Sequence, residues 1–271
     1  MIAGYWRKLA GNAVIAAHLR GQRQAPFLDR VRLEARRDRR IRAMVAYAAR
    51  AVPYYRDWFA RERIDPRAIT DAAALDRLPV LDRDVVRTRP GLFVAQTAAG
   101  RTGVAFATSG TTGTPIHIVH DRRSLLANFA FGERERAPVL RLCGGAFNPK
   151  EIYVGYETST FKTVQAFYAE HTLLPVRAQR RFVSLGTPLA EVAALVDAER
   201  PDVLVGYGGW LDLFFKTVAA RGRACHRPRV VMSMGEALPP GARDFIERTL
   251  GVPVLSRYNA VEAFKIGFTC E

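Results

Sequence analysis

Residues 229–258 read RVVMSMGEALPPGARDFIERTLGVPVLSRY, and their punctuation decides the fold of this 271-residue chain. RVVMSM is short, apolar and partly β-branched, the pattern of a strand buried on both faces. Ala242, Phe245 and Ile246 then recur on one helical face, Gly251 stops the helix, and VPVLSRY is a second apolar strand. Strand, helix and strand in that order place two parallel strands side by side through a crossover.

The same unit repeats upstream. EIYVGYE, HTLLPV and PDVLVGY read as further strands. Thr187 and Pro188 suit an N-cap and a first helical position, after which Leu189, Val192, Ala193 and Val196 share a face. The expectation is a layered α/β/α domain with a largely parallel sheet.

A helical N-terminal portion, residues 1–90, precedes it and ends near Pro90 and Gly91. In EARRDRRIRAMVAYAAR the residues Ile41, Met44, Val45 and Ala48 form an apolar stripe, and Pro53 stops the helix. Tyr54, Tyr55, Trp58 and Phe59 are expected in a core, and IDPRAIT with LPVLDRD reads as turn and helix-cap chemistry. Ile2, Tyr5, Trp6, Leu9, Ala13 and Ala16 share a helical face beside Arg7 and Lys8. Packing of that helix is preferred to its alternative, peripheral membrane contact through the basic N-terminus.

Composition bounds the function. Apolar residues make up 49% of the chain, enough for a substantial core. Three dispersed cysteines without a C-x-x-C pair argue against a disulfide framework or zinc ribbon and fit a reducing, cytoplasmic setting. Through Pro90 there are 20 Lys plus Arg against 10 Asp plus Glu, so the N-terminal third carries most of the net charge of +15. That charge is almost all arginine, and it reads as a solvated face. No aromatic-interleaved basic loop or recognition-helix pattern accompanies it, so nucleic acid is not the expected partner.

Open parallel sheets bind ligands at the carboxyl ends of their strands, which directs attention to three loops. FATSGTTGTPIHIVHD, residues 106–121, sets Ser109, Gly110, Thr111, Thr112 and Gly113 between two β-branched runs. Glycines let successive amides converge on an anion and the hydroxyls add donors, which is phosphate-cradle chemistry or an ordinary hairpin turn. It is no Walker A loop, since Gly-Lys-Ser/Thr is absent and IHIV reads as a strand. PDVLVGYGGWLDL lacks the third glycine of a dinucleotide fingerprint, because Leu211 stands there.

T-S-G-T-T-G-T-P at 108–115 resembles the phosphate loop of the adenylate-forming superfamily, which includes acyl- and aryl-CoA synthetases, adenylation domains and luciferases. Residues 233–264, SMGEALPPGARDFIERTLGVPVLSRYNAVEAF, are similar to its adenine segment and Y-G-x-T/S-E motif, and RPDVLVGYGGWLDLF to the strand and helix beside its acid pocket. Residues 33–59 with LPVLDRD resemble the phenylacetate-CoA ligase and coenzyme F390 synthetase-like branch.

The resemblance implies ATP-dependent activation of an organic carboxylic acid as its adenylate and transfer to coenzyme A or a carrier-protein thiol. It makes residues 91–271 the nucleotide- and acid-binding portion. Ser109, Gly110, Thr111, Thr112 and Gly113 match the phosphate loop, Gly235 and Glu236 the adenine segment, Tyr258 its stacking aromatic, and Glu262 the catalytic carboxylate that binds Mg2+. Tyr207 and Gly208 match walls of the acid pocket. Ordinary structural roles compete singly with each assignment: a strand-end turn for Gly235, core for Tyr258, a helix-terminal charge for Glu262. The histidines His117, His120 and His171 receive no role.

Departures accompany the matches. Asn259 replaces the motif's glycine and Val261 its hydroxyl residue, removing one expected phosphate hydrogen bond, and Ile116 stands where many relatives carry lysine. The ribose-binding aspartate, hinge and lysine-bearing C-terminal lid domain of relatives would follow Glu271, so the lid domain is expected to be absent here. A non-catalytic or truncated binding or scaffold module on the same fold is the alternative expectation.

Overall fold

The structure is a computed structural model that describes residues 2–97, 102–108, 115–146, 148–173, 179–222 and 225–269. The chain divides into two compact units, Gln24–Leu126 and the combination of Met1–Arg23 with Ala127–Glu271.

In the Gln24–Leu126 unit, α2 (Arg30–Ala51) and α3 (Pro53–Glu62) close on a core of Val45, Trp58, Phe59 and Ile69. The aromatic cluster is therefore core, as expected. Met44 is an exception to the predicted stripe: it is exposed, and the inward positions are Ile41, Val45 and Ala49. Asp29 caps α2 by accepting from the Arg32 amide at 2.9 Å, and Asp82 caps α4 (Arg83–Thr88) through the Asp84 amide at 2.7 Å. The strands β1 (Val104–Ala107) and β2 (His117–His120) pair antiparallel, and α5 (Arg122–Phe131) follows them in the sequence. Thr108 closes them, its amide donating to the Ile116 carbonyl at 2.9 Å and its hydroxyl accepting from the Ile116 amide at 3.0 Å.

The other unit is built on a six-stranded sheet of order β4-β3-β5-β6-β7-β8. Its strands are β3 (Glu151–Gly155), β4 (Arg180–Ser184), β5 (Val203–Tyr207), β6 (Val230–Met234), β7 (Val254–Ala260) and β8 (Phe264–Phe268). The first five in this count are parallel, and β8 alone runs antiparallel at one edge.

Period-two alternation sorts their side chains between two layers. Ile152, Val154, Leu204, Val231 and Val254 join Val192 and Val196 of α8 (Leu189–Glu199), Leu211 and Phe214 of α9 (Gly208–Ala220) and Ile246 of α10 (Ala242–Leu250). Tyr153, Val203, Val205, Met232 and Leu255 face Val139 of α6 (Glu133–Leu142) and Phe161 of α7 (Thr160–His171). This is the expected α/β/α arrangement.

Three local expectations are corrected. HTLLPV is no strand over its described part: His171 ends α7, and the Thr172 amide and hydroxyl both donate to the Tyr168 carbonyl, at 2.9 and 3.0 Å. The neighbouring strand is RRFVS instead, which sits at the sheet edge, where Arg181 reaches water. Helix α8 begins one residue later than expected, with Pro188 at the cap and no side-chain capping bond from Thr187. In α1 (Ile2–Leu19) the buried residues are Gly11 and Ile15, whereas Ile2, Tyr5 and Trp6 of the predicted inward face are exposed. The helix is held through its other side, where Arg7 pairs with Glu170 at 2.8 Å and Asn12 accepts from the Leu173 amide at 3.1 Å.

Candidate functional site at the carboxyl edge of the sheet

The carboxyl ends of β5 and β6 lie side by side, Tyr207 pairing with Met234 in register. Each strand then turns into a glycine-containing segment, and the two segments interlock. A methyl group added at Gly208 would stand 2.4 Å from the Ala237 carbonyl oxygen, and one at Gly235 would stand 2.3 Å from the Tyr207 ring. Real Cβ contacts are essentially never this short, so glycine is needed where the Gly208 backbone meets that of Ala237 and where the Tyr207 ring lies against Gly235. Gly235 also has φ +78, a left-handed conformation that glycine adopts without steric cost.

A hydrogen bond completes the interlock. The Glu236 carboxylate accepts from the Gly209 amide at 2.6 Å, satisfying a donor in the first turn of α9 that has no partner within the helix. Four residues singled out in the sequence, Tyr207, Gly208, Gly235 and Glu236, are thus brought into one constellation. Tyr207 is half-buried, and burial, followed by Tyr156 and Glu236, raises its phenol above the ordinary tyrosine value. Tyr156, which the sequence did not single out, packs edge-on against Tyr207 with ring centroids 5.2 Å apart and is itself 54% exposed.

Tyr258 and Glu262 sit on the β7–β8 hairpin of the same unit. Ser233 pairs with Ser256, so Gly235 and Tyr258 each lie two residues beyond a matched pair. Tyr258 is 66% exposed, which removes the reading that it is core. Glu262 lies in the turn closed by the Ala263 amide donating to the Ala260 carbonyl at 3.2 Å; it is exposed and makes no ion pair among the described residues. A helix-terminal charge is thereby excluded for Glu262. Asn259 stands beside a register irregularity, and with its amide nitrogen assigned toward them it donates to the Tyr258 and Phe264 carbonyls at 3.0 and 3.1 Å.

The hairpin rests on charges that the motifs do not show. Glu135 of α6 is buried; its carboxylate is hydrogen-bonded to Lys265 of β8 and lies 3.3 Å from Arg257 Nε of β7. Arg180 and Glu151 pair next to it at 2.7 Å. Burial opposes the Glu135 charge, but Arg257 and Lys265 outweigh that cost and hold its carboxyl below the usual glutamate range.

The loop residues Ser109, Gly110, Thr111, Thr112 and Gly113 lie outside the described residues. Among the described residues no group of three His, Cys, Asp or Glu side chains is placed to hold a metal. His171 has a structural role: it is buried, stacked on Phe167 at 4.1 Å between centroids, and bonded through Nδ1 to the Phe167 carbonyl at 2.9 Å. None of the described helices is long and apolar enough to cross a membrane.

No family model matches the chain. A phenylacetate-coenzyme A ligase of Thermus thermophilus is 32% identical over 108 residues, 38% of this chain and 23% of that protein. Two crystal structures of 2-hydroxyisobutyryl-CoA ligase with 2-HIB-AMP and CoA share the fold. One, in the thioesterification state, superposes with TM-score 0.60 at 18% identity over 88% of this chain and 51% of its own; the other, in an open conformation, has TM-score 0.57 at 17% identity over 84% and 50%. The sequence match is to a phenylacetate-CoA ligase over part of the chain, and the likeness to the ligase structures shows a shared fold. The chain spans about half the length of those ligase structures and about a quarter of the curated relative.

Proposed function

We propose that this chain is the nucleotide- and acid-binding portion of an ATP-dependent acid–thiol ligase. The ligase activates an aryl or acyl carboxylic acid as its adenylate and passes the acyl group to a thiol, coenzyme A or that of a carrier protein. In the first step the carboxylate oxygen attacks the α-phosphorus and pyrophosphate leaves; in the second a thiolate attacks the acyl carbonyl and AMP leaves. The observation that carries the reading is the interlock of Tyr207, Gly208, Gly235 and Glu236 at the carboxyl ends of β5 and β6, where open parallel sheets bind their ligands.

The roles follow from residue chemistry and from the superfamily resemblance. Gly235 and Glu236 run along the adenine, and the exposed Tyr258 ring supplies a face for it. Tyr207 and Gly208 wall the acid. Ser109, Gly110, Thr111, Thr112 and Gly113 supply amides and hydroxyls to the phosphates, offsetting the repulsion between two anions. Glu262, an exposed carboxylate without an ion-pair partner among the described residues, fits Mg2+, which uses one or two carboxylates together with substrate phosphates. The ion, when bound, supplies charge neutralisation of the phosphates.

Val261 in place of a hydroxyl residue favours a second reading, a binding or scaffold module that retains the fold without turnover. One calorimetric titration tests the nucleotide site on which the ligase reading depends. Magnesium-ATP should bind saturably to the purified chain, and binding should be lost in Thr111→Ala with Thr112→Ala and in Glu262→Gln. A cooperatively melting chain that shows no binding would sink the ligase reading.

A further inference from the structure

The β7–β8 hairpin carries Tyr258 and Glu262, yet its own ladder is irregular. The register shifts between Tyr258 and Asn259, and Phe264 adopts φ +55, a left-handed conformation that a bulky residue rarely takes. Its second strand is also an edge of the sheet, with ladder partners on one side only. Backbone pairing alone therefore leaves the turn weakly registered.

A single side chain bridges both arms of this hairpin. Glu135 of α6 touches Arg257, the residue before Tyr258, through one carboxylate oxygen and Lys265, three residues after Glu262, through the other. The Lys265 ammonium is seated close under the start of α6: a methyl group at Gly132 would lie 3.3 Å from Nζ and 3.0 Å from the Phe129 carbonyl oxygen. Buried charges fit one another only in a narrow geometry, whereas apolar side chains of similar volume slide at little cost, so a buried ion cluster is suited to fixing register.

We propose that Glu135 is a positioning residue: by holding Arg257 and Lys265 together it sets where Tyr258 and Glu262 stand for the magnesium nucleotide. The inference rests on the nucleotide reading given under Proposed function.

The test uses Glu135→Gln beside Glu151→Gln as its control. Glu151 is the other carboxylate of the cluster, bonded to Arg180 on β4, so its loss also disturbs buried charge but leaves the hairpin arms alone. Two readouts are taken on each folded variant: the Kd of magnesium-ATP, and backbone hydrogen exchange over residues 257–268 against that of β5 and β6. In Glu135→Gln the Kd should rise about tenfold or more, as misplaced binding groups do, with exchange accelerated in the hairpin and unchanged in β5 and β6. Glu151→Gln should leave both at the wild-type level.

Equal Kd changes in the two variants, or hairpin exchange unaltered in Glu135→Gln, would overturn the proposal. If Glu135→Gln does not fold, Glu135→Asp replaces it, keeping the charge on a shorter arm, and the same outcomes decide. A wild-type chain without magnesium-ATP affinity would refute the nucleotide reading instead, and the exchange data would still decide whether Glu135 holds the hairpin.

Discussion

Glu236 and Gly209 are joined by a 2.6 Å hydrogen bond that ties the end of one parallel strand to the first turn of the helix following its neighbour. The bond does the work of an N-cap from 27 residues away in sequence. Glu236→Ala should therefore cost about 1 kcal/mol, the usual loss for a missing cap, read as a fall of a few degrees in Tm. Glu236→Gln retains an acceptor oxygen and should lose less than Glu236→Ala in the same melt.

Glycine substitutions in the interlock should be harsher. Gly208→Ala drives a methyl into the Ala237 carbonyl, and Gly235→Ala meets the Tyr207 ring on a backbone of positive φ. Overpacking of this kind costs about 1–3 kcal/mol, and both variants should unfold earlier in urea. Gly4→Ala is the control: it has open space in the first turn of α1 and should leave the urea midpoint unlowered.

The acid limb of the stability profile should report Glu135. Its folded carboxyl lies below the unfolded reference of 4.5, because Arg257 and Lys265, with Arg180 behind them, overcome the cost of burial. A depressed value gives stability that is present above the unfolded pKa and lost as pH falls through the folded one. Chemical denaturation between pH 7 and pH 3 should show this loss below about pH 4.5, and Glu135→Gln should flatten that part of the curve. An unchanged acid limb in the variant would contradict the assignment.

Phe214 stacks on Trp210 at 4.9 Å and is 1% exposed at the centre of the α8–α10 layer. Phe214→Ala should cost about 3–5 kcal/mol through lost burial and the cavity left behind. The measurement is the urea midpoint at unchanged slope.

Cys143 is the buried C-cap residue of α6, and burial, then the nearby Asp202 charge, pushes its thiol up to about 11. It should resist alkylation by iodoacetamide at pH 8 in the native state and react once the chain is unfolded. Mass spectrometry of the cysteine peptides distinguishes the two.

Strands β3, β5 and β6 were legible because strands buried on both faces must be largely apolar runs, whereas β7 was legible from its buried opening residues Val254 and Leu255 alone. β4 escaped notice since Arg180 and Arg181 open it, a tolerance that belongs to an edge position and is invisible until the strand order is known. Helix α1 misled through its glycines: Gly11 carries no hydropathy signal, yet it marks the buried side together with Ile15, while the aromatic side faces water. In the candidate site the glycine–acid motifs were legible in order. The Glu135 cluster was not, because Glu135 and Lys265 are 130 residues apart and a buried glutamate looks like a surface one in a string of letters.

The separation between α1 and its partners also bears on how the chain is made. Asn12 bonds Leu173 and Arg7 pairs with Glu170, so the N-terminal helix emerges from the ribosome some 161 residues ahead of the segment that holds it. At about 5–20 residues per second that is an interval of roughly 10–30 s. During it the Asn12 and Arg7 contacts cannot form, and the helix is without them throughout the synthesis of the Gln24–Leu126 unit.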